Sequence, residues 1–336
     1  MAGQREIGSE FWDVPVCEGG GAPFPADTQW YLAGRSALQA ILRELKDCRT
    51  VAIPSWCCDS IIAPFAEAGL AVRFYSVFQQ GRWAPQPRTD CDILFLMDFF
   101  GYTGPVSVAK DYTGIVIRDV THSLFSATYE DADYYFGSLR KWCGIWTGGY
   151  AWRATGGKLP EAASQNPGYV HLRKTAMRQK EAYIRGNSSD KGYLQLFGRA
   201  EEMLESAGLA GATDRDIRLA KKLDLESIKA RRRANAGILR QAFPEWLIFS
   251  EMQPEDCPMF VPIWVPEGKR DALRQALIRQ EIYCPVHWPL SPYHILKDSD
   301  RAVYQHELSL VCDQRYGEAD MLRMADAIRA CWTKLP

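Results

Sequence analysis

Short apolar runs, separated by segments with helical spacing, organise the first half of the chain. They lie at residues 51–54 (VAIP), 71–75 (AVRFY), 92–97 (DILFLM) and 114–118 (GIVIR). Runs of this length are typical of strands that are covered on both faces. Between them, apolar residues recur with the spacing of a helix face, as in 59–68. Strands that alternate with helices predict an α/β protein with a mostly parallel sheet.

The pattern changes in the second half of the chain. A loop over 154–167 precedes a long stretch, 168–243, whose mixed polar and apolar spacing predicts helices. After residue 246, strand patterns return at 259–265, 282–283 and 306–310, and helices are predicted at 269–280 and 317–330. We therefore predict a large domain over residues 1–235 and a small C-terminal α/β domain over 236–336.

Composition and charge limit the classes of function. The 336 residues are 47% hydrophobic, which is enough for a large core. A net charge of -1 without a basic block argues against binding to nucleic acid or to an anionic membrane. No stretch reaches the roughly 18 consecutive apolar residues of a membrane helix, and the first 15 residues lack the apolar region of a secretory signal. The charged run Arg231-Arg232-Arg233 is expected on a solvated helix face.

Cysteine usage indicates a reducing compartment. The chain has ten cysteines, and no two of them have the CxxC spacing of a zinc site or a thioredoxin motif. Scattered cysteines in a chain of this size are typical of buried, reduced thiols, so we expect a cytoplasmic protein without a metal site.

The stretch from Asp119 to Gly149 carries the most specific chemistry. Asp119 follows an apolar strand, His122 lies three residues later, and Lys141 stands in apolar surroundings between Ser138 and a Gly-Gly pair. Burial favours the neutral amine of a lysine, which can form a Schiff base with the carbonyl of pyridoxal phosphate (PLP). A carboxylate at the end of a strand can keep a pyridinium nitrogen protonated. On these residues alone, a turn-capping aspartate and a surface lysine remain the alternatives.

Two further segments have features of a binding site. Gly34-Arg35-Ser36 begins a helical pattern, and free backbone N–H groups at a helix start can bind an anion. An ordinary N-cap serine is the alternative. In the C-terminal part, His287-Trp288 and Arg315 each follow a predicted strand. Ring stacking and carboxylate binding suit these residue types, and packing or an ion pair of Arg315 with Asp313 is the alternative.

The central block resembles the fold-type I PLP enzymes, and among them the DegT/DnrJ/StrS sugar aminotransferase family. That family has an acid, a Gln or His three residues later, a Ser before the Schiff-base Lys, and then a Gly pair, as in Asp119, His122, Ser138, Lys141 and Gly148-Gly149. Thr147 replaces the usual Glu before the Gly pair. Ser138 lies three residues before Lys141, whereas Phe136 occupies the usual serine position.

The resemblance implies a role for each residue of the site. Lys141 would hold PLP and later act as general base and acid, Asp119 would contact the ring nitrogen, and His122 would lie over the ring or at its 3′-oxygen. Ser138, Gly34, Arg35 and Ser36 would bind the phosphate. Cys58 falls at the usual ring-stacking position, so the nearby Trp56 is the expected ring partner. Arg315 would bind the donor carboxylate, and His287 and Trp288 would contact the substrate.

The resemblance also implies a fold and an activity. The fold would be a three-layer large domain around a mostly parallel seven-stranded sheet, with a small C-terminal α/β domain, in a homodimer with shared active sites. The activity would be transfer of an amino group from an amino acid, with glutamate as the expected donor, to a nucleotide-linked keto sugar. The alternatives are another PLP reaction on the same scaffold, such as a non-sugar transamination or a dehydration, and a PLP-binding protein without catalysis. Because sugar dehydratases of the family have His in place of the Lys, Lys141 argues against that reaction.

Overall fold

The computed structural model describes residues 6–21, 24–79, 81–102, 106, 108–126 and 131–335. Its strands, in chain order, are β1 (Ile7–Gly8), β2 (Gln29–Tyr31), β3 (Thr50–Pro54), β4 (Ala71–Tyr75), β5 (Phe78–Gln79), β6 (Arg82–Trp83), β7 (Ile93–Met97), β8 (Ile115–Asp119), β9 (Tyr134–Ser138), β10 (Gly149–Arg153), β11 (Ser164–Gln165), β12 (Ala210–Gly211), β13 (Phe260–Trp264), β14 (Ile282–Tyr283) and β15 (Glu307–Val311). Its α-helices are α1 (Gly34–Leu42), α2 (Asp59–Glu67), α3 (Pro167–Ile184), α4 (Tyr193–Glu205), α5 (Asp214–Ala220), α6 (Leu225–Ala242), α7 (Arg270–Ile278), α8 (Asp298–His306) and α9 (Glu318–Trp332).

A mostly parallel sheet forms the centre of the described part of the chain. Its strands lie in the order β11-β12-β2-β10-β9-β8-β7-β3-β4. The neighbours β9, β8, β7, β3 and β4 are parallel, while β10 is antiparallel to both β9 and β2. The predicted seven-stranded sheet is therefore present, and the two-residue strands β11 and β12 extend one edge. The predicted fold class is confirmed.

Residue chemistry explains why these segments form the sheet. Every position of β7 is buried, and only the first position of β3 and of β8 retains partial exposure. Such strands must be apolar on both faces, which is the pattern visible in the sequence. Helices α3 and α6 begin at side chains that accept backbone hydrogen bonds: Asn166 accepts from Tyr169 at the start of α3, and Asp224 accepts from Ser227 at the start of α6.

A second apolar cluster lies in the C-terminal part. The antiparallel pair β13 and β15 packs against α6, α7 and α9. The N-terminal strand β1 joins this cluster by pairing in parallel with β14, through Ile7 opposite Ile282. Helix α6 crosses the boundary predicted at residue 235 and contributes Ala236 and Leu239 to the cluster. The division into domains stays a prediction.

None of the helices described here is both long enough and apolar enough to cross a membrane.

Candidate active site

The carboxyl ends of the central strands bring several predicted site residues to one edge of the sheet. Asp119 ends β8 and Ser138 ends β9. Ser138 is paired with Gly149, and Gly149 is paired with Tyr31 at the end of β2. Helix α1 begins three residues after Tyr31, so its first residue, Gly34, lies beside Ser138. A Cβ atom on Gly34 would stand 3.4 Å from the Ser138 Cβ.

Lys141 ends a short 3-10 turn, Leu139–Lys141, between β9 and β10. The Leu139 N–H donates to the Gly148 carbonyl at 2.8 Å. Gly148 has a φ of +136°, a conformation that favours glycine and closes this loop. Below the turn, the buried Trp142 donates its indole N–H to the Thr121 carbonyl at 2.6 Å. The position of Lys141 is therefore fixed on both sides by buried contacts.

The Lys141 side chain is exposed and lines a cavity of about 520 Å³. Its neighbours Leu139, Trp142 and Ile145 are completely buried, so the apolar surroundings inferred from the sequence belong to the core and not to the amine. The expectation of a buried Lys141 is wrong for this reason. Among the described residues, the ion pairs around the cavity are formed by other cations, which leaves the Lys141 amine without an acidic partner.

Asp119 is a buried carboxyl group at the end of β8. Its side chain accepts a hydrogen bond from the Thr121 N–H at 2.8 Å. Burial raises the pKa of the Asp119 carboxyl to about 6, and the positive charge of Lys141 acts in the opposite direction. A cation placed next to Asp119 would stabilise its buried carboxylate form.

The N-terminus of α1 and Ser138 together form a candidate anion site. The Ser138 hydroxyl is buried and has no hydrogen-bond partner in the structure. The cap residue Ala33 offers no side chain to the first turn of α1, so backbone N–H groups are free there. The Ser36 hydroxyl, in contrast, donates to the Gly208 carbonyl at 2.7 Å, and the Arg35 guanidinium donates to the Glu205 carbonyl at 3.3 Å. Backbone N–H groups of Arg35 and Ser36, and not their side chains, are thus the available donors.

His122 is buried at the wall of the cavity. Its Nδ1 accepts a hydrogen bond from the Phe100 N–H at 3.3 Å. Burial lowers the pKa of the His122 imidazole well below its usual value, and the neighbouring His287 and Lys141 act in the same direction. The ring is therefore neutral, with its proton on Nε2.

Trp56 does not have the open ring face that the stacking role requires. It is completely buried, its ring is stacked on Phe99 with centroids 5.3 Å apart, and its indole N–H donates to the His287 carbonyl. In the same loop, burial raises the pKa of the Cys58 thiol, and the charges of both Lys141 and Asp119 also act on this pKa, Lys141 lowering it and Asp119 raising it. We therefore do not propose Trp56 as the ring-stacking partner of the cofactor.

His287 and Trp288 lie on the cavity wall, as the sequence predicts. The ring centroids of His122 and Trp288 are 5.9 Å apart and the rings are stacked, while His287 meets Trp288 edge to face at 5.2 Å. Residues separated by more than 160 positions in the sequence thus form one wall.

Arg315 also lines the cavity, but its guanidinium is already engaged. It donates to both carboxylate oxygens of Asp313, at 2.8 and 2.7 Å, which is the alternative that the sequence left open. It also donates to the carbonyls of Glu10 and Ser9, at 2.9 and 3.1 Å, and its guanidinium carbon lies 4.0 Å from the centre of the Phe11 ring. Arg315 therefore fastens the N-terminal segment to the C-terminal part.

Arg232 is a cavity residue that the sequence analysis missed. The expectation of a solvated helix face is wrong for it, because Arg232 is completely buried and lines the cavity. It donates to the Gln314 side chain at 2.7 Å and to the Met259 carbonyl at 3.0 Å, and it stacks on the Trp142 ring. Within the described part of the chain, its Nη2 has no hydrogen-bond partner. Its burial follows from contacts with distant parts of the chain, which a charged run does not reveal.

Thr147, which stands where the resembling family has Glu, contacts a carboxylate from another element. Its hydroxyl and its N–H donate to the Asp216 carboxylate at 2.7 and 2.9 Å. Asp216 belongs to α5 and is buried. A negative charge is therefore present beside the Gly pair, although the sequence position of the acid differs.

Comparisons with known proteins agree on the fold. No protein-family model and no curated protein matches the sequence. Among solved structures, Spr1654 from Streptococcus pneumoniae, in its PLP form, has a TM-score of 0.63 at 12% identity, with 97% of this chain and 99% of that chain covered. A DegT DnrJ EryC1 StrS aminotransferase from Brucella abortus has a TM-score of 0.60 at 15% identity, covering 90% and 85%. DesI, solved with its TDP-sugar product, has a TM-score of 0.62 at 14% identity, covering 91% and 81%.

These similarities extend over nearly the whole chain, so the complete architecture is shared, including the C-terminal part. The chain has the fold of the solved PLP aminotransferases, fold-type I. At identities of 12 to 15% the similarity establishes the fold, and the chemistry must be argued from the site.

Proposed function

We propose that the protein is a PLP-dependent aminotransferase that resembles the DegT/DnrJ/StrS sugar aminotransferases. The observation that carries the proposal is the convergence of Lys141, Asp119 and the unpartnered Ser138 hydroxyl at one edge of the sheet. The fold shared with solved aminotransferases adds support.

The residues present fit the cofactor. The free Ser138 hydroxyl and the uncapped first turn of α1 would hold the phosphate. Asp119 is a buried carboxyl group whose raised pKa leaves it ready to pair with a cationic ring nitrogen. His122 would donate its Nε2 proton to the 3′-oxygen, and Lys141 would hold the cofactor aldehyde.

Each side chain has a distinct task in the proposed reaction. Bound PLP supplies an electron-withdrawing ring that stabilises negative charge at the α-carbon of an amino acid. Asp119 would keep the ring nitrogen protonated. Once the donor amine has displaced it, the Lys141 amine, exposed to the cavity, would remove the proton from the α-carbon of the donor and would later deliver a proton to the carbon that bears the new amino group. The buried rings of Trp56 and Phe100 pack behind Trp288 of the cavity wall and would keep water away from that side.

For the donor carboxylate we propose Arg232 in place of Arg315. Arg315 is saturated by Asp313 and by two backbone carbonyls, whereas Arg232 lines the cavity and, among the described residues, has a buried nitrogen without a hydrogen-bond partner. A buried cation with a free donor is stabilised by an anion. Glutamate is the proposed donor.

For the acceptor we propose a keto sugar, nucleotide-linked, in sugar or polysaccharide biosynthesis. His287 and Trp288 offer a hydrogen-bonding ring beside a flat apolar surface on the cavity wall. A homodimer with shared active sites in the cytoplasm belongs to the same proposal.

A titration with PLP, followed by addition of amino acids, tests this function. We expect an absorbance band between roughly 330 and 420 nm that belongs to the bound cofactor. Addition of glutamate should shift this band in the first half-reaction, and addition of a keto sugar should restore it. A protein that binds PLP without any shift for a panel of amino acids would contradict the proposal and favour cofactor binding without catalysis.

A further inference from the structure

Two buried side chains, Glu307 and Ser309, determine which nitrogen of the His287 ring carries the proton. The Glu307 carboxylate accepts from the Ser309 hydroxyl at 2.5 Å and from the His287 backbone N–H at 2.6 Å. The Ser309 oxygen lies 2.8 Å from His287 Nδ1. Because the single hydroxyl proton is donated to the carboxylate, the Ser309 oxygen can only accept from Nδ1. In its neutral form, His287 therefore has its proton on Nδ1, and its Nε2 presents a lone pair.

His122, which faces His287, carries its ring proton on the other nitrogen. His122 Nδ1 accepts from the Phe100 N–H at 3.3 Å, so the proton of its neutral ring is on Nε2. The two ring centroids are 6.2 Å apart. Neither Nε2 atom makes a hydrogen bond within the described ranges, and neither is a buried atom without a partner. Both are thus open to the cavity that the two residues line.

The two rings give the cavity wall one fixed donor and one fixed acceptor. A carbonyl or phenolate oxygen suits the donor, His122 Nε2–H. Only a group with its own proton, such as a hydroxyl, suits the acceptor, His287 Nε2. Glu307 and Ser309 are both completely buried, so water cannot readily rearrange their hydrogen bonds.

We propose that Glu307 and Ser309 are positioning residues that hold His287 as a hydrogen-bond acceptor for a hydroxyl group of the carbonyl substrate. This inference rests on the proposed function, because it names a recognition element of the same site. It predicts that the site selects hydroxylated ketones over analogues that lack the hydroxyl, since an unpaired lone pair disfavours the analogue.

The side chain of Glu307 offers a way to invert this polarity. In Glu307→Gln, the amide oxygen can accept from the His287 backbone N–H, which turns the amide NH₂ toward Ser309. Ser309 would then accept from the amide and donate to His287 Nδ1, which moves the ring proton to Nε2. The variant has the same size, and Ser309→Thr retains the hydroxyl as a matched control.

The ring proton can be observed directly by nitrogen-15 NMR of histidine-labelled, full-length protein at about pH 8, where an ordinary imidazole is neutral. The chain has five histidines, and the His287 signals are identified by their loss in His287→Gln. We expect the proton on Nδ1 in the wild type and in Ser309→Thr, on Nε2 in Glu307→Gln, and on either nitrogen in Ser309→Ala. A wild-type proton on Nε2, or the same nitrogen protonated in wild type, Glu307→Gln and Ser309→Ala, would overturn the assignment.

Titration of the same samples with hydroxyacetone and acetone tests the hydroxyl contact. Hydroxyacetone should shift the wild-type His287 Nε2 signal and bind about fivefold more tightly than acetone, as expected for one neutral hydrogen bond. Glu307→Gln should lose this preference. Equal responses to both probes in the wild type would overturn the hydroxyl contact. Neither measurement requires turnover, so failure of the proposed aminotransferase activity would be recognised separately, by the absence of a PLP band or by a PLP band that does not shift when amino acids are added.

Discussion

Asp119 brings an ionisable group into the core beside the cavity, and its titration gives a test of its role. Its pKa is raised by burial from 3.8 to about 6, so the folded protein holds this proton more tightly than the unfolded chain. The free energy of unfolding of the cofactor-free protein should therefore fall by about 2 to 3 kcal/mol between about pH 4 and pH 6 because of this group.

Asp119→Asn removes this penalty without changing the size of the side chain. Without PLP, the variant should be more stable than the wild type at about pH 8 and equal to it at about pH 4, measured by urea denaturation. With PLP, it should retain the cofactor but lose most of its turnover. Asp111→Asn, at an exposed position, is the control for loss of a charge. Identical pH profiles of Asp119→Asn and wild type, together with near-normal turnover, would reduce Asp119 to a turn residue.

Arg232 and Arg315, two of the arginines that line the cavity, differ in the effects we predict for their substitution. Arg232→Lys should raise the donor KM about tenfold to thirtyfold, because a lysine does not reproduce the planar donor set of arginine. Arg315→Lys should lower the melting temperature and leave the donor KM unchanged, because Arg315 holds Asp313 and the N-terminal segment. Half-reaction kinetics and thermal unfolding of both variants separate the roles, and a rise in donor KM for Arg315→Lys alone would restore the original assignment.

The site residues that could be predicted are those that stand close together in the sequence. Asp119, His122, Ser138 and Lys141 lie on successive strand ends, so their order along the chain already indicates one location. The burial of Arg232 and the contacts of Glu307 depend on distant segments. Local patterns could not predict these features. The apolar residues around Lys141 also suggested that Lys141 is buried, whereas those neighbours are buried and the Lys141 side chain is exposed.

Among the secondary-structure elements, the end of β9 and the start of α1 together form the proposed phosphate site. The Ser138 hydroxyl is buried without a partner, whereas the Ser36 hydroxyl is paired with Gly208. Ser138→Ala should therefore weaken PLP binding about tenfold and leave the cofactor-free protein equally or more stable. Ser36→Ala should lower stability and affect PLP affinity less. Absorbance titrations and melting curves measure both effects, and unchanged PLP affinity in Ser138→Ala would contradict the assignment.

Elements with strong local patterns were predicted well. The apolar strands β3, β7 and β8 lie where the sequence places them, because a buried strand needs an apolar run. Strand β4 also lies where it was predicted, but at the edge of the sheet, with only Tyr75 fully buried. The two-residue strands β1, β11 and β12 have no such pattern and depend on pairing partners far along the chain, whereas β14 lies at the predicted positions 282–283. The predicted strand at 306–310 is displaced by one residue, since α8 continues through His306.

At the scale of the whole molecule, the N-terminal segment and the C-terminal part close the cavity together. Strand β1 pairs with β14, and Arg315 binds the carbonyls of Ser9 and Glu10. The sequence pattern predicted an irregular arm at the N-terminus and gave no indication of this docking, because the contacts join residues more than 270 positions apart. The overall architecture, in contrast, was predictable from the alternation of strands and helices.

The proposed function depends on covalent binding of the cofactor by Lys141, which borohydride reduction and peptide mapping detect directly. The protein is incubated with PLP, reduced with borohydride, digested, and its peptides are mapped by mass spectrometry. We expect a pyridoxyl label on Lys141, and no stable label in Lys141→Ala treated in the same way. A label on another lysine, or an equal label in both proteins, would show that Lys141 does not hold the cofactor.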